Sequence, residues 1–401
     1  MSAARPDRHP DHAVPHPVPD TLMFGLWAGL LLVGTVAVTS ASMELAASRY
    51  GDAEHHLVRH GIYVALSVGV FALVLSIPTT AWAAACRLAW PLTLLLLTLV
   101  LVPGLGREVN GSMRWIGLGP ASIQPSELAK FLLVIHLAGY LQRHAGELPR
   151  SFAAMAWPFL WLAPPALLLL MEPDLGSVVV IFGAAAGLVL LAGARILHLL
   201  VLAVTATAGL AALVLAQPYR LHRLEAFLDP WAEGVQFGSG YQLTQALIAF
   251  GRGEWFGVGL GEGLQKLFYL PEAHTDFIFA VIAEETGVLG ALCLCAALVW
   301  LVVRGLAHGR AAEFRGDRFA AMLAYGAALM LGVQVLVSLG VNTGLLPTKG
   351  LTLPLVSFGG NSLLVSSALV ALMMRVDWEG RLATTVAPAR RPRARSREVA
   401  A

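Results

Sequence analysis

Apolar runs dominate this sequence, and several reach the length of about 20 residues that a helix needs to cross a bilayer. The run at 152–171, for example, contains no charged side chain. Charged residues make up 13% of the chain, against about 25% in an ordinary soluble domain. These features exclude a soluble globular protein and predict an all-α polytopic membrane protein.

Turn formers and charged loops divide the apolar runs into ten predicted transmembrane helices. The tenth ends near Arg375, and the first nine span about 22–42, 61–77, 88–102, 125–141, 152–171, 177–192, 196–216, 276–303 and 319–339. The predicted organisation is a disordered cytoplasmic tail at 1–20, a ten-helix domain at 21–376 and an Arg-rich cytoplasmic tail at 377–401. The longest predicted loop, 217–275, joins the seventh and eighth helices.

Arginine is concentrated in the loops on one side of the predicted helices and in the C-terminal tail. Because basic loops stay inside the cell, both termini are predicted to be cytoplasmic. The loops that hold the unusual polar sequence are then extracytoplasmic, namely 44–56, 104–124, 172–176, 217–275 and 340–362. The segment 343–362 is too apolar for a free loop and too rich in Gly and Pro for a helix, so it is predicted to be re-entrant.

The stretch 266–287 carries the densest group of polar side chains next to an apolar run. Lys266, Glu272, His274 and Asp276 fall within it, directly before the eighth predicted helix. Ionisable groups at the edge of a membrane are costly and often functional. Asp276 is therefore a candidate general base, although an acid at a helix N-terminus is also favourable by about 0.3–1 kcal/mol without any function.

Two further acids, Glu284 and Glu285, lie inside the eighth predicted helix. At about 100° per residue, neither lies on the same helix face as Asp276. We expect a structural ion pair for at least one of them.

Other charged side chains occur in the remaining outer stretches. Arg114 stands beside Trp115, a pair that is common at membrane surfaces. Lys130 either extends to the outer surface or lines a polar cavity, where it would meet a pyrophosphate. Asp174 lies in the helix-breaking EPDLG segment, and Lys349 is the one charge in the re-entrant segment. Each of these side chains is a candidate ligand for an anionic or polar substrate.

Several sequence motifs that mark nucleotide-binding, catalytic or metal sites are absent from this chain. It contains no Walker A, HExxH or GxSxG motif, and its three cysteines form no CxxC pair. The net charge of +2 gives no reason to expect nucleic-acid binding. No organic cofactor is predicted.

Six segments together resemble the SEDS family (shape, elongation, division and sporulation). They are NGSMRWIG, QPSELAK, EPDLGS, GSGYQLTQALIAFGRG, GLGEGLQKLFYLPEAHTDFIFAVIAEETG and GLLPTKGLTLPLVSFGG. The resemblance covers nearly the whole chain and, through PTKGLTLP, favours the division-type branch over the elongation-type branch. Phe358 and Asn361 depart from the usual Tyr and Ser.

The resemblance implies a peptidoglycan glycosyltransferase that polymerises lipid II at the outer face of the bacterial inner membrane, enriched at the division septum. Because the loop holds only one well-placed carboxylate, we expect a single displacement that inverts the anomeric centre. It implies a class B penicillin-binding protein and other division membrane proteins as partners. Asp276 corresponds to the catalytic acid of the family, and a divalent cation such as Mg²⁺ or Mn²⁺ could assist. The predicted substrate-binding set comprises Arg114, Lys130, Asp174, Lys266, Glu272, His274 and Lys349.

Three alternatives remain open from the sequence. A lipid II flippase would need a hydrophilic path through the bilayer, whereas the charges here cluster in the outer half. An elongation-type polymerase would act on the same substrate. A non-catalytic scaffold of the division machinery would not need Asp276.

Overall fold

The computed structural model describes residues 18–109, 112–118, 121–215, 227–238, 240–348 and 350–386. Most of the two predicted tails and the prediction at Lys349 lie outside these ranges. The described part is mostly helical, which confirms the predicted fold class.

Eleven helices are present in the described ranges. They are α1 Thr21–Tyr50, α2 His55–Ser76, α3 Thr79–Leu101, α4 Pro125–His144, α5 Phe152–Met171, α6 Leu175–Leu191, α7 Ile196–Leu215, α8 Tyr241–Gly253, α9 Ile278–Phe314, α10 Arg318–Asn342 and α11 Gly360–Val386. A helix occurs at each of the ten predicted spans, and α8 lies within the predicted 217–275 loop. The helix α11 continues through the predicted boundary at 376.

Six of these helices, α1, α2, α3, α5, α9 and α10, are long and apolar enough to cross a membrane. The helix α6 and the first half of α7, Ile196–Thr205, are apolar but shorter. The protein is therefore a multi-pass membrane protein, while the predicted count of ten spans is not confirmed.

A small sheet departs from the predicted all-helical fold. The strands β1 Gly106–Val109, β2 Ser112–Leu118 and β3 Ala121–Ile123 pair antiparallel in the order β1-β2-β3. The sequence of 104–124 predicts a loop, because its glycines interrupt the alternation of apolar and polar residues in these short strands. Arg114 lies in β2 at a shift of the β1–β2 register, between Trp115, which pairs with Arg107, and Met113, which pairs with Glu108.

The helix α10 lies at the centre of the bundle and is buried along most of its length. Small residues allow its neighbours to approach closely. A Cβ at Gly326 of α10 would lie 3.0 Å from Val134 of α4, and a Cβ at Gly183 of α6 would lie 3.0 Å from Val333. Such close approach through small residues is how helices pack inside membranes, where apolar burial gives no preference for protein over lipid.

The helix α9 is broken at Gly287, where the backbone adopts φ 68° and ψ −172°. The neighbouring segment 254–259 satisfies the freed backbone groups. Val258 N donates to Glu284 O at 3.0 Å, Gly259 N to Glu285 O at 3.1 Å, and Val288 N to Glu254 O at 2.9 Å. The first part of α9, 278–286, is thus a short helix attached to the segment 254–259.

The segment 350–359 turns back into the protein, as predicted for a re-entrant loop. Gln334 Nε2 of α10 donates to Thr352 O at 3.1 Å, and Phe358 N donates to His274 O at 2.9 Å. A Cβ at Gly34 of α1 would lie 2.7 Å from Val356 O, so this helix touches the loop backbone directly. Irregular backbone is tolerated at this depth because protein surrounds it.

Candidate active site

A cavity of about 860 Å³ opens where the predicted outer loops meet. Its wall is formed by β2, the first turns of α4 and α6, the segment 272–277 before α9, and residues on both sides of position 349. The charged side chains on the wall are Arg59, Arg114, Glu127, Asp174, Glu272 and Asp276. The cavity therefore combines several carboxylates with two guanidinium groups.

Asp276 lies two residues before α9, and its main chain is fixed by Asn342 at the end of α10. Asn342 Nδ2 donates to Asp276 O at 2.8 Å, and Ala280 N donates to Asn342 Oδ1 at 3.2 Å. Asn342 is fully buried. One amide thus joins the end of α10 to both Asp276 and the first turn of α9.

The Asp276 carboxyl is partly exposed to the cavity. Burial, together with the Glu272 carboxylate, raises its pKa to about 7, although the charge of Arg114 acts in the opposite direction. A position just before a helix N-terminus favours the charged carboxylate and so lowers its pKa, but burial outweighs that effect here. A carboxyl group with a pKa near 7 is a more effective base at neutral pH than an ordinary aspartate.

Arg114 is held beside Asp276 by the backbone of the EPDLG segment. Its Nε donates to Glu172 O at 2.9 Å and its Nη2 to Pro173 O at 2.7 Å. A guanidinium has five N–H donors, so others remain for a ligand in the cavity. Arg114 is placed to bind an anionic group.

Glu172 itself is an acid that the sequence analysis did not select. Its side chain is fully buried, and neither carboxyl oxygen has a hydrogen-bond partner in the described part of the chain. Burial, together with the Asp174 carboxylate, raises its pKa to about 8, although the charge of Arg114 acts in the opposite direction. Near neutral pH the group is mostly protonated and does not cancel the charge of Arg114.

Asp174 lines the cavity and also caps α6. It accepts hydrogen bonds from Ser177 N at 3.1 Å and from Ser177 Oγ at 2.7 Å. Helix capping of this kind contributes about 1 kcal/mol. The structure therefore gives Asp174 a structural role at a position that also faces the cavity.

Glu272 is exposed on the cavity wall, whereas His274 is buried behind it. Glu272 Oε2 accepts from Thr275 Oγ1 at 2.7 Å. The His274 ring lies 5.1 Å from the His56 ring and 5.5 Å from the Phe358 ring, centroid to centroid. Burial lowers the pKa of His274. This side chain packs under the re-entrant segment and is not on the cavity wall.

Lys130 lies behind the cavity wall and does not extend to the surface. Its Nζ donates to Glu127 Oε1 and to Gln334 Oε1, both at 2.8 Å, and the residue is 1% exposed. Glu127 lines the cavity. Lys130 thus holds the Glu127 carboxylate, which lines the cavity, and does not line the cavity itself.

Lys266 is also separate from the cavity wall. Its Nζ lies 2.7 Å from both Glu285 Oε1 and Ser40 Oγ. The neighbouring Glu284 contacts Arg252 at 3.3 Å and accepts from Leu264 N at 3.0 Å. Glu284 and Glu285 are therefore both in structural ion pairs that hold the segment 252–266 against the helix.

Of the predicted site residues, the structure brings Arg114, Asp174, Glu272 and Asp276 to one cavity and places Lys130, Lys266 and His274 behind it. Lys349 lies outside the described residues, but Thr348 and Gly350 on either side of it line the cavity. Sequence reasoning missed Arg59, Glu127 and Asn342. The charge of Glu127 in the first turn of a predicted apolar helix was a usable signal, whereas Asn342 had none.

A metal site built from protein ligands is not evident in the described ranges. No group of three or more His, Cys, Asp or Glu side chains there could hold a metal ion. The carboxylates of the cavity are separated along its wall. The donor set seen here does not fit a metal ion held by protein alone.

Comparison with known proteins agrees with the sequence motifs. Residues 20–382 match the FtsW/RodA/SpoVE family of cell cycle proteins. The chain is 51% identical over 365 residues to the probable peptidoglycan glycosyltransferase FtsW of Nitrosococcus halophilus, covering 91% of this chain and 94% of that protein. It is 50% identical over 366 residues to the protein of the same name in Pseudomonas fluorescens, covering 90% and 89% of the two chains.

Solved structures give the same result. The structure is similar to a chain of a peptidoglycan synthase complex that coordinates polymerization and crosslinking, with a TM-score of 0.73, 31% identity, and coverage of 90% of this chain and 98% of that one. It is also similar to the rod shape determining protein RodA of Thermus thermophilus, with a TM-score of 0.66, 30% identity, and coverage of 90% and 97%. The chain belongs to the FtsW/RodA/SpoVE family of cell cycle proteins, which is the SEDS family.

Proposed function

We propose that this protein is a division-type peptidoglycan glycosyltransferase that polymerises lipid II into glycan strands, with Asp276 as its general base. The observation that carries the proposal is the position of Asp276 on the wall of a charged cavity, with a pKa raised to about 7 and Arg114 close by. The relatives named peptidoglycan glycosyltransferase, at about half identity over most of the chain, support the same reaction.

In the proposed reaction, Asp276 accepts the proton of the attacking hydroxyl on the acceptor sugar. The hydroxyl oxygen forms a bond to the anomeric carbon of the donor, and the bond from that carbon to the diphosphate breaks. The diphosphate leaves with the bonding electron pair, and a single displacement inverts the anomeric centre. Only one carboxylate is needed as base, so no glycosyl-enzyme intermediate is required.

Positive charge must stabilise the departing diphosphate. Arg114 is the best placed cation, because two of its donors are fixed by backbone carbonyls and Glu172 is neutral near pH 7. Arg59, which also lines the cavity, is a second cation, and Lys349 stays a predicted third. Preorganised charge at this position lowers the barrier without rearrangement during the reaction.

A divalent cation such as Mg²⁺ or Mn²⁺ stays part of the proposal as a charge that could accompany the diphosphate. Such an ion would supply additional stabilisation of the leaving group. The described carboxylates do not form a site for it alone, so every step above uses side chains of the chain itself.

The proposed setting follows the same family. The termini are cytoplasmic, the cavity faces the outer side of the inner membrane, and the protein is enriched at the division septum. A class B penicillin-binding protein would crosslink the strands, together with other division membrane proteins. Similarity to a chain of a synthase complex that coordinates polymerization and crosslinking supports such a partner.

The test is glycan polymerisation from lipid II by the purified full chain together with its penicillin-binding partner. Asp276→Asn keeps the size of the side chain but removes the base, and we expect a loss of about 10²–10⁴-fold. Glu262→Gln, at an exposed acid outside the cavity wall, is the matched control and is expected to retain full activity. Equal polymer from wild type and folded Asp276→Asn would refute the general-base role.

If wild type with its partner makes no polymer, a lipid II transport assay in vesicles separates the flippase alternative from the scaffold. If the protein transports lipid II but makes no polymer, its proposed function as a polymerase would be replaced by that of a flippase. If the protein shows neither polymerisation nor transport, the scaffold alternative is favoured.

A further inference from the structure

A second cavity lies between α3 and α4, far from the candidate active site. It has a volume of about 430 Å³ and is lined by Ala83, Ala84, Cys86, Arg87, Gln142 and Arg143. Arg143 Nη1 donates to Cys86 Sγ at 3.4 Å, so the two helices meet at this level. The small side chains of α3 leave the space, and two arginines stand at its edge.

This cavity is at the opposite membrane face from the candidate active site. Glu127, on the wall of the active-site cavity, and Arg143 belong to the same helix α4 and are sixteen residues apart. At about 1.5 Å per residue, this separation is about 24 Å along the helix. In the proposed orientation, the second cavity faces the cytoplasmic leaflet.

The two arginines have no carboxylate partner in the described ranges. Other arginines at this end of the bundle do: Arg304 pairs with Asp20, Arg375 with Glu379 and Arg381 with Asp377. Arg87 has no ion pair, and the one side-chain contact of Arg143 is the Cys86 sulfur. The exposed Glu147 is an acid in the same region, since both Glu147 and Arg143 influence the pKa of Tyr140. It forms no ion pair with Arg143 in the described ranges. Two guanidinium groups are therefore free to bind an external anion.

An apolar stripe leads from the cavity along α3 towards the membrane centre. Ala84, Leu88, Leu92 and Leu95 share one helix face by their spacing, and the three leucines are exposed. Aliphatic side chains exposed on a membrane helix contact acyl chains. A ligand with an anionic head and an acyl tail would match both the cavity and this stripe.

We propose that Arg87 and Arg143 bind the phosphate of an anionic phospholipid in the α3–α4 cavity, at the membrane face opposite Asp276. Basic pockets between transmembrane helices on the cytoplasmic side suit phosphate head groups, and paired guanidinium groups bind phosphate with directed hydrogen bonds. The acyl chains would lie along the leucines of α3. The site is independent of the proposed polymerase reaction.

The test compares two double variants of the full chain, purified in detergent and supplied with phosphatidylglycerol or phosphatidylcholine. Arg87→Gln with Arg143→Gln removes the proposed site. Arg150→Gln with Arg318→Gln makes the same charge change at exposed arginines outside the cavity and serves as the control. Native mass spectrometry counts retained lipid, and thermal denaturation measures the stabilisation by each lipid.

We expect wild type and control to retain a phosphatidylglycerol molecule and to be stabilised by it more than by phosphatidylcholine. The cavity variant should bind phosphatidylglycerol about tenfold more weakly than the control. Equal binding by both double variants would show general surface attraction and would overturn the site. If inorganic phosphate alone stabilised wild type as much as phosphatidylglycerol, the ligand of this site would be a soluble phosphate and not a lipid.

A second variant covers the case in which the double variant does not fold. Ala84→Leu leaves both arginines and fills the cavity from an exposed position of α3. It is expected to fold and to lose the preference for phosphatidylglycerol. Retention of that preference would contradict binding inside the cavity.

Discussion

Gly350 lies directly against the carboxylate of Asp276: a Cβ added at this glycine would be 3.1 Å from Asp276 Oδ2. This distance is shorter than an ordinary van der Waals contact with a carbon atom. The re-entrant segment therefore reaches the proposed base with its backbone, at a position where a larger residue would displace the carboxylate.

We expect Gly350→Ala to reduce polymerisation about ten- to a hundredfold, because a small displacement of a catalytic group is costly. Thermal stability should change little. Gly146→Ala is the control, since a Cβ at that glycine meets nothing within 4 Å. Full activity of folded Gly350→Ala would show that the contact does not position Asp276.

The pH dependence of polymerisation should follow the ionisation of Asp276. A base must be deprotonated to act, so the rate should rise as pH increases through about 7. The Glu272 carboxylate raises the pKa of Asp276, so Glu272→Gln should shift the rising limb to lower pH. The Glu262→Gln control should leave the profile unchanged. A shift to higher pH in Glu272→Gln would contradict this electrostatic assignment.

Asn342 is expected to position Asp276 through the main chain. Asn342→Ala leaves Asp276 O without its side-chain donor, and a buried group left in this way costs about 1–3 kcal/mol. Ala280 N also loses Asn342 Oδ1 but keeps its bond to Phe277 O at 3.0 Å. We expect a lower denaturation midpoint and a reduced kcat. Thr343→Ala is the control, because its hydroxyl bonds only to carbonyls of its own helix. Similar losses in both variants would count against a specific role.

The ion pair of Lys266 with Glu285 should contribute to stability and not to chemistry. Lys266→Met leaves a buried, unpaired carboxylate, and removing one partner of such a pair typically costs about 3–5 kcal/mol. Lys266→Met combined with Glu285→Gln removes both charges and should recover much of the loss in thermal denaturation. A double variant as unstable as the sum of the singles would show that the two groups are not coupled.

Glu172 should make the folded state less stable as the pH rises. Its pKa is raised from 4.5 to about 8, so between these values the unfolded chain releases a proton that the folded chain retains. Stability should fall by about 1.4 kcal/mol per pH unit across this window and level off above it. The midpoint of Glu172→Gln relative to wild type should therefore rise from pH 5 to pH 8. A parallel pH dependence of the two proteins would contradict the burial of an unpaired acid.

Much of the helical fold could be predicted from hydropathy. The predicted span 152–171 coincides with α5, and the predicted 196–216 begins with α7, which is helical up to Leu215, where the described range ends. Hydropathy alone did not locate the small sheet at 106–123, because its strands are short and interrupted by glycines. It also did not separate membrane-crossing helices from helices that only pack against them, so the count of ten is not established.

The candidate site was predicted less completely than the helices. Sequence motifs identified Arg114 and Asp276, which the cavity brings together. They could not show that Lys266 pairs with Glu285, because a partner nineteen residues away meets the lysine only after folding. For the same reason Asn342, sixty-six residues from Asp276, gave no signal. The pair of Lys130 with Glu127, three residues apart on α4, was within reach of helix periodicity.

The break at Gly287 has a mechanical consequence. The short helix 278–286 shares backbone hydrogen bonds with the segment 254–259, while Asp276 lies two residues before that helix. Neither Gly257 nor Gly287 has room for a Cβ, so the two pieces are in direct backbone contact. A protein that binds and displaces the segment 254–259 would therefore move the helix 278–286 with it. That movement would displace the Asp276 carboxylate, while the part of α9 after Gly287 could stay in place.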